Sequence, residues 1–537
     1  MAWTAKQPLL RTAALVALAT SISLKSPRID ALALGALVVA LAVNRLAQVR
    51  TMPTLVEPAL PNGRWLGWVA AMAMTAVAAL ASQLLFEASP HVADSAAQWF
   101  HARILAGGAM SAPLPPLADA FAQQYVIADI GANRWYSLYP PGHIASLAVG
   151  MRLGVPWLVN PVLCGVAVLV FDRVARQYLG EKAWATGATL ALAVSPFVLF
   201  MSAEAMNHSS SLLATCALLC ACWRLHQTPQ AVGWWYAAGA AVAWCGLVRP
   251  VTAVALALPL VGGALWRGRG TPGILRCSLR LALPAVAGVS LLLFWHMGTT
   301  GDPWVSGYAR FFAGAGPAVA ETGWRAALTR FAQTTDNAAA FNVWALGWPA
   351  PALLLAWVGA RRPDATAFDR TLGLAVVSLA AVHAPYFYQD LCFGPRFWFE
   401  ATPAVALLAV AGLRHLAGQW RPAVARWALP MMLACALAVD GVLAVTVYAR
   451  PDFWGPWSSA AAKAVQGPGF ERTVVLVRDE AQWRGVAWRN DPWLRVGPVF
   501  VRESEGVQRR GVPPLDSVGW NVIRAPPSSG ADRLAPP

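Results

Sequence analysis

The chain carries about thirteen apolar runs near 20 residues long, at roughly 9–24, 31–47, 65–85, 153–171, 184–203, 210–223, 231–248, 251–266, 281–297, 341–360, 371–388, 398–413 and 427–448. Runs of that length match the hydrocarbon thickness of a bilayer, where only structures that satisfy every backbone polar group internally can span. Charged residues make up 12% of the 537 positions, against about 25% in an ordinary soluble domain, too few to cover a soluble surface. The fold class expected is therefore an all-α polytopic membrane protein. A mean hydropathy of +0.49 excludes disorder as the main content. The net charge of +15 could suggest nucleic acid, but basic patches interleaved with aromatics are absent, and a nucleic-acid partner is excluded. The eight cysteines lie mostly inside apolar runs and read as small buried hydrophobes; Cys220 and Cys222 form a C-x-C pair without two further ligands nearby, so no metal is expected. The stretch from Leu9 to Leu24 leads through Lys25 and Arg28 directly into a second apolar run, a poor fit to a cleaved signal peptide.

Arginine placement orients the spans. Alternate loops hold Arg45, Arg50 and Arg64; Arg173, Arg176 and Lys182; Arg224; Arg267, Arg269, Arg276 and Arg280; Arg361, Arg362 and Arg370; and Arg414, Arg421 and Arg426. Positively charged loops stay cytoplasmic. The opposite loops are nearly free of basic residues, with Arg249 and Arg396 standing alone in theirs. The link at 25–30 breaks the alternation. The organisation expected is a membrane hairpin over 1–64, a transmembrane domain over 65–448 with outer loops at 86–152 and 298–340, a small extracytoplasmic α/β appendage over 449–524 and a disordered tail over 525–537. In the appendage, Thr473–Val477, 498–501 and 520–523 read as short strands. No internal repeat of the kind that marks a two-halved transporter is present.

Polar clusters fall at the outer ends of the spans: Asp94, Ser95, His101 and Arg103; the stretch from Asn133 to His143; Glu204 to His208; Arg249 and Pro250; Gly301 to Pro303; and Phe393 to Glu400. The segments DSAAQWFHARILAGG, RWYSLYPPG, AMNHS, LVRPVTA, TGDP, FGPRFWFEATP and NDPWLRVGPVFVRE follow one another from about 85 to 500. In that order they resemble the GT-C glycosyltransferases, in particular bacterial relatives of the protein O-mannosyltransferases that use a polyprenyl-phosphate sugar. The resemblance implies a GT-C-like fold in a bacterial inner membrane with an extracytoplasmic active site. It also implies a hexosyl or mannosyl transfer from a polyprenyl-phosphate-linked sugar to a lipid, glycan or protein acceptor, with no cofactor. It puts the catalytic role on Asp94; where the family has a second acid, this chain has Ser95. One carboxylate suffices as the base of a single inverting displacement.

Around Asp94, Arg396, Arg249 and Arg134 are the candidates for the donor phosphate, and His208, Glu204, Tyr139, His143 and Glu400 for substrate binding. Each has a structural alternative. Asp94 could cap the helix that follows. Arg396 could anchor a span at the headgroups, as could Arg134 and Arg249. His143 could be a turn residue satisfied by backbone, and Glu204 and His208 a helix-end polar pair. Glu400, four residues after Arg396, would face it on an α-helix and orient it; Tyr139 and Trp135 suit interfacial anchors. Asp440, inside the last span, has no chemical role assigned. A transporter or flippase of lipid-linked sugars is the main alternative function, and a non-catalytic envelope scaffold a third.

Overall fold

The computed structural model describes residues 56–180, 183–313, 323–386, 389–450, 457–467, 469–504, 507 and 520–526. The expected spans 9–24 and 31–47, and the tail beyond 526, lie outside the described residues.

Helices dominate. In chain order they are α1 (Trp65–Leu84), α2 (Ala93–Ala106), α3 (Pro141–Arg152), α4 (Val159–Leu179), α5 (Ala183–Ala193), α6 (Pro196–Ala203), α7 (His208–Gln227), α8 (Val232–Val248), α9 (Pro250–Gly268), α10 (Ala282–Thr299), α11 (Gly307–Ala313), α12 (Trp324–Trp344), α13 (Ala352–Arg361), α14 (Ala367–His383), α15 (Thr402–Ala417) and α16 (Pro422–Leu443). Proline opens α3, α6, α9 and α16 at the first helical position, where its missing N–H costs nothing.

Among the described residues six helical stretches are long and apolar enough to cross a membrane: Trp65–Leu84, Pro156–Leu179, Pro250–Gly268, Ile274–Thr299, Arg396–Ala417 and Pro422–Tyr448. The pair α5 and α6, bent by 44°, would make a seventh. The chain is thus an integral, multi-pass membrane protein, but the expected thirteen spans are not reached. The remaining expected runs do contain helix; α8 and α13 are apolar but short.

The run 341–360 is not one helix. It breaks between α12 and α13, because Pro349 and Pro351 push the residues before them out of the helical region. The α5–α6 bend has the same cause at Pro196. The two breaks meet: Ser195 Oγ donates to Ala345 O at 2.7 Å. Gly347, at φ +63°, faces Pro196 so closely that a Cβ would lie 2.8 Å from its ring.

The segment 86–152, expected as an outer loop, holds a sheet the sequence did not announce. Strands β1 (Ala112–Pro113), β2 (Val126–Asp129) and β3 (Arg134–Ser137) pair antiparallel in the order β1-β3-β2, with Asp129 opposite Arg134. The three C-terminal runs do form strands, β4 (Thr473–Val477), β5 (Val499–Arg502) and β6 (Asn521–Arg524), in a parallel sheet with β4 central.

That C-terminal unit packs against the segment that carries α2 and β3. Alternation along its strands sends Val474, Val499 and Val501 into one core with Trp99, Phe100 and Trp135 of the outer loop. Val475, Val477 and Phe500 pack on the other face with Trp483 and Val486. Arg103 Nη1 donates to the carbonyl of Arg489 at 2.5 Å, Trp135 Nε1 to Pro492 O at 3.1 Å and Trp483 Nε1 to Ala122 O at 2.8 Å. Trp135 and Tyr139, expected as interfacial anchors, are buried by this packing.

Candidate active site

The packed outer loop sets the start of α2 above the helix bundle. Val92 occupies the N-cap of α2 and no side chain caps it; Asp94 stands in the first turn with both oxygens turned elsewhere. Tyr139 Oη donates to Asp94 Oδ1 at 2.7 Å. Arg396 Nη1 lies 3.1 Å from Asp94 Oδ2, and Arg396 Nε 2.5 Å from Asp390 Oδ1. One buried guanidinium is therefore held between two carboxylates, which is not the geometry of a headgroup anchor. Burial pushes Asp390 above the usual carboxylate range, with Arg396 working against that shift and Asp94 adding to it. Burial and the adjacent Asp94 charge push the Tyr139 hydroxyl up, so it stays a donor.

Arg396 opens a 3₁₀ turn, Arg396–Ala401, rather than an α-helix. At three residues per turn, position i+4 points about 120° away from i. Glu400 consequently does not face Arg396. It is fully buried and meets Arg249, whose Nε lies 3.4 Å from Glu400 Oε1, while Ser211 donates its hydroxyl to the same oxygen. Arg249 Nη1 lies 2.7 Å from His208 Nε2, which also stands 3.2 Å from the Arg396 carbonyl oxygen. Both guanidinia lie over the ring of Phe397, at 5.2 Å for Arg396 and 5.9 Å for Arg249.

These groups border a cavity of about 840 Å³, lined by Asp94, Tyr139, His208, Arg249 and Arg396 together with Tyr308, Tyr386, His383 and Phe397. The polar clusters that the sequence spread over more than 300 positions thus reach one chamber, and five of the nine site candidates line it. The other four stand outside the lining. Glu400 supports Arg249 from behind. His143 is buried between Ser210 Oγ at 2.8 Å and Ala205 O at 3.0 Å, the backbone-satisfied alternative. Arg134 sits at the hairpin, 3.8 Å from Asp129 and over the Tyr136 ring. Glu204 lies behind α2, where its Oε1 accepts from Ser95 Oγ at 2.8 Å and from His91 N at 2.7 Å. A second carboxylate therefore meets the residue after Asp94, carried by the α6–α7 link instead of position 95. Burial raises Glu204 to about 7.

Asp390, Tyr308 and Tyr386 were not singled out as site residues. The signal for Asp390 was available: it is an acid six residues from Arg396 in a short outer loop. Among the described residues no cluster of three or more His, Cys, Asp or Glu side chains is arranged to hold a metal ion.

The chain is a multi-pass helical bundle that presents an acid and two arginines to one chamber. It superposes on the crystal structure of ArnT from Cupriavidus metallidurans bound to undecaprenyl phosphate, with a TM-score of 0.52 and 17% identity over 80% of this chain and 85% of that one. Against apo ArnT from the same organism the values are 0.51 and 16%, over 80% and 86%. The arabinofuranosyltransferase AftD from Mycobacteria is more distant, with a TM-score of 0.39 and 18% identity over 78% of this chain and 30% of that one. At these identities the likeness is one of fold. No protein-family profile matches the chain, and no curated protein matches it in sequence.

Proposed function

We propose that the protein is an inverting glycosyltransferase that moves a sugar, of the hexosyl or mannosyl type, from a polyprenyl-phosphate donor to a hydroxyl acceptor at the extracytoplasmic face of a bacterial inner membrane. The single observation that carries this reading is the sharing of the Arg396 guanidinium by Asp94 and Asp390 at the wall of a chamber large enough for a sugar. The fold of ArnT, a protein solved with undecaprenyl phosphate, supports the donor class.

The chemistry follows from the contacts. An arriving donor phosphate competes for the two N–H edges of Arg396 and for Arg249, since a guanidinium presents paired donors to phosphate oxygens. Its arrival draws Arg396 off Asp94 and frees Oδ2, while Tyr139 keeps Oδ1 in place. Asp94 then takes the proton of the acceptor hydroxyl as that oxygen bonds to the anomeric carbon. The bond from that carbon to the phosphate oxygen breaks, and polyprenyl phosphate leaves with the electron pair and the added negative charge on Arg396 and Arg249. The aromatic rings of Tyr308, Tyr386 and Phe397 offer faces for the sugar.

The test is to incubate purified protein with a panel of polyprenyl-phosphate sugars and candidate acceptors, following release of polyprenyl phosphate by mass spectrometry. Release from one donor, absent in Asp94→Asn, is expected. Translocation of lipid-linked sugar across proteoliposomes without any release, unchanged in Asp94→Asn, would overturn the reading in favour of a flippase.

A further inference from the structure

A second cavity lies at the far end of the bundle from the first. The helix α4 begins beside the active-site layer, where Asn160 Nδ2 donates to Glu204 O and Met206 O. From Asn160 to Arg173 the helix carries the chain about 20 Å away at 1.5 Å per residue. There, against the N-terminal end of α1, is a cleft of about 380 Å³ bordered by Arg64, Arg173, Arg176, Gln177 and Trp68.

The cleft is built around Arg176. This side chain is only 6% exposed. Its Nε donates to Asp172 Oδ2 at 2.8 Å and its Nη2 to Gly63 O at 2.9 Å, but its buried Nη1 has no hydrogen-bond partner. Asp172, the one acid in the lining, is already engaged: its Oδ1 accepts from Thr189 Oγ1 at 2.8 Å. It is pinned against α1, where a Cβ on Gly67 would fall 2.5 Å from its Oδ2. Arg173 and Arg176 stand against one ion-paired carboxylate, so the concave site is cationic on balance, and the Nη1 buried behind its wall has no partner. A buried charged donor without an acceptor is unfavourable, so an anion beside it is favoured.

The surroundings say which kind of anion. Trp68 and Leu169 and Val170 form the membrane-ward wall. Trp68 is 63% exposed, and the exposed apolar surface continues along the same two helices through Val69, Met72 and Val166. A tryptophan at the boundary between guanidinia and an apolar face is the arrangement found at headgroup level. We infer that this cleft is a binding site for the phosphate of an anionic membrane lipid in the leaflet opposite the active site, its acyl chains lying along α1 and α4. By the arginine alternation that leaflet is the cytoplasmic one, where basic pockets between helices meet anionic headgroups.

The experiment uses the full chain, purified in detergent and delipidated, and reads lipid retention by native mass spectrometry. Phosphatidylglycerol and phosphatidylcholine are added at equal concentration, and in a separate arm glycerol phosphate is added alone. One tightly retained phosphatidylglycerol is expected in preference to phosphatidylcholine. Arg173→Ala should weaken it about five-fold, the worth of one arginine near a charged surface. Arg176→Lys keeps the charge beside Asp172 and loses the fork, and should weaken it as well. Arg173 is exposed and remote from the first cavity, so sugar transfer in detergent should be unchanged in its variant. Equal retention of the two lipids, or retention indifferent to Arg173→Ala, overturns the site. Protection by glycerol phosphate at the concentration effective for the lipid keeps the phosphate site but overturns the lipid as its source.

Discussion

Truncation of Arg396 is the perturbation that asks most of the proposed chemistry. The Arg396→Ala protein loses the contact to the donor phosphate, a hydrogen bond to a charged group worth about 1.5–3 kcal/mol, or about 10- to 150-fold in kcat/KM. The structure adds a second loss. Asp94 and Asp390 both lean on this guanidinium, at 3.1 and 2.5 Å, and once it is gone two carboxylates face each other and the incoming phosphate without a counter-charge. The reduction should therefore exceed the single-bond range and fall on kcat as well as KM, because the leaving phosphate gains charge as the glycosidic bond breaks. Removing the surplus acid separates the two losses: Arg396→Ala with Asp390→Asn should be faster than Arg396→Ala alone, although Asp390→Asn by itself should slow the enzyme. Arg396→Lys should recover part of the rate, since an ammonium supplies charge without the planar fork. The assay is steady-state release of polyprenyl phosphate from one defined donor at matched protein levels. Full activity of Arg396→Lys, or a double variant no faster than Arg396→Ala, would refute the assignment of Arg396 to the phosphate and of Asp390 to its orientation.

Asp94→Asn should lower kcat by about 10² to 10⁴ while donor binding persists, as measured by retention of the labelled lipid donor, because Asn keeps the Tyr139 contact and cannot take a proton. Glu204 holds its proton up to about 7 in the folded protein and only to about 4.5 when unfolded, so the native state binds the extra proton between those values and stability falls as pH rises through that window. The loss amounts to about 3 kcal/mol, and Glu204→Gln should abolish it, read as Tm at pH 4 and 8. Single cysteines at Ile130 and Trp304, both exposed, should react with an impermeant maleimide in intact cells of a cysteine-free background, whereas ones at Leu275 and Asp364 should react only after permeabilisation. Reversed labelling would turn the cavity to the cytoplasm.

Much was legible from the one-dimensional pattern because a bilayer imposes one-dimensional rules. Run length and the scarcity of charge set the membrane class, and the eleven apolar runs within the described residues all contain helix. Short β-like runs bounded by charged and Gly/Pro turns pointed to β4, β5 and β6. Solitary basic residues in otherwise uncharged outer loops pointed to Arg249 and Arg396, since nothing about insertion favours them there. The first-loop acid, Asp94, was likewise found by position and resemblance.

What the pattern could not hold was the pairing. Glu400 was assigned to Arg396 on α-helical spacing, and a 3₁₀ turn rotated it onto Arg249 instead. Asp390 and Glu204 reach the site through a loop and a helix link whose paths depend on distant packing. The C-terminal sheet was readable as strands, yet only the shared core with Trp99 and Trp135 shows that it braces the loop bearing Asp94. Sequence determines where a chain must be apolar, because that is a local transfer free energy. Which acid meets which arginine is decided by ångström-scale approach between elements hundreds of residues apart, and only the tertiary structure supplies that.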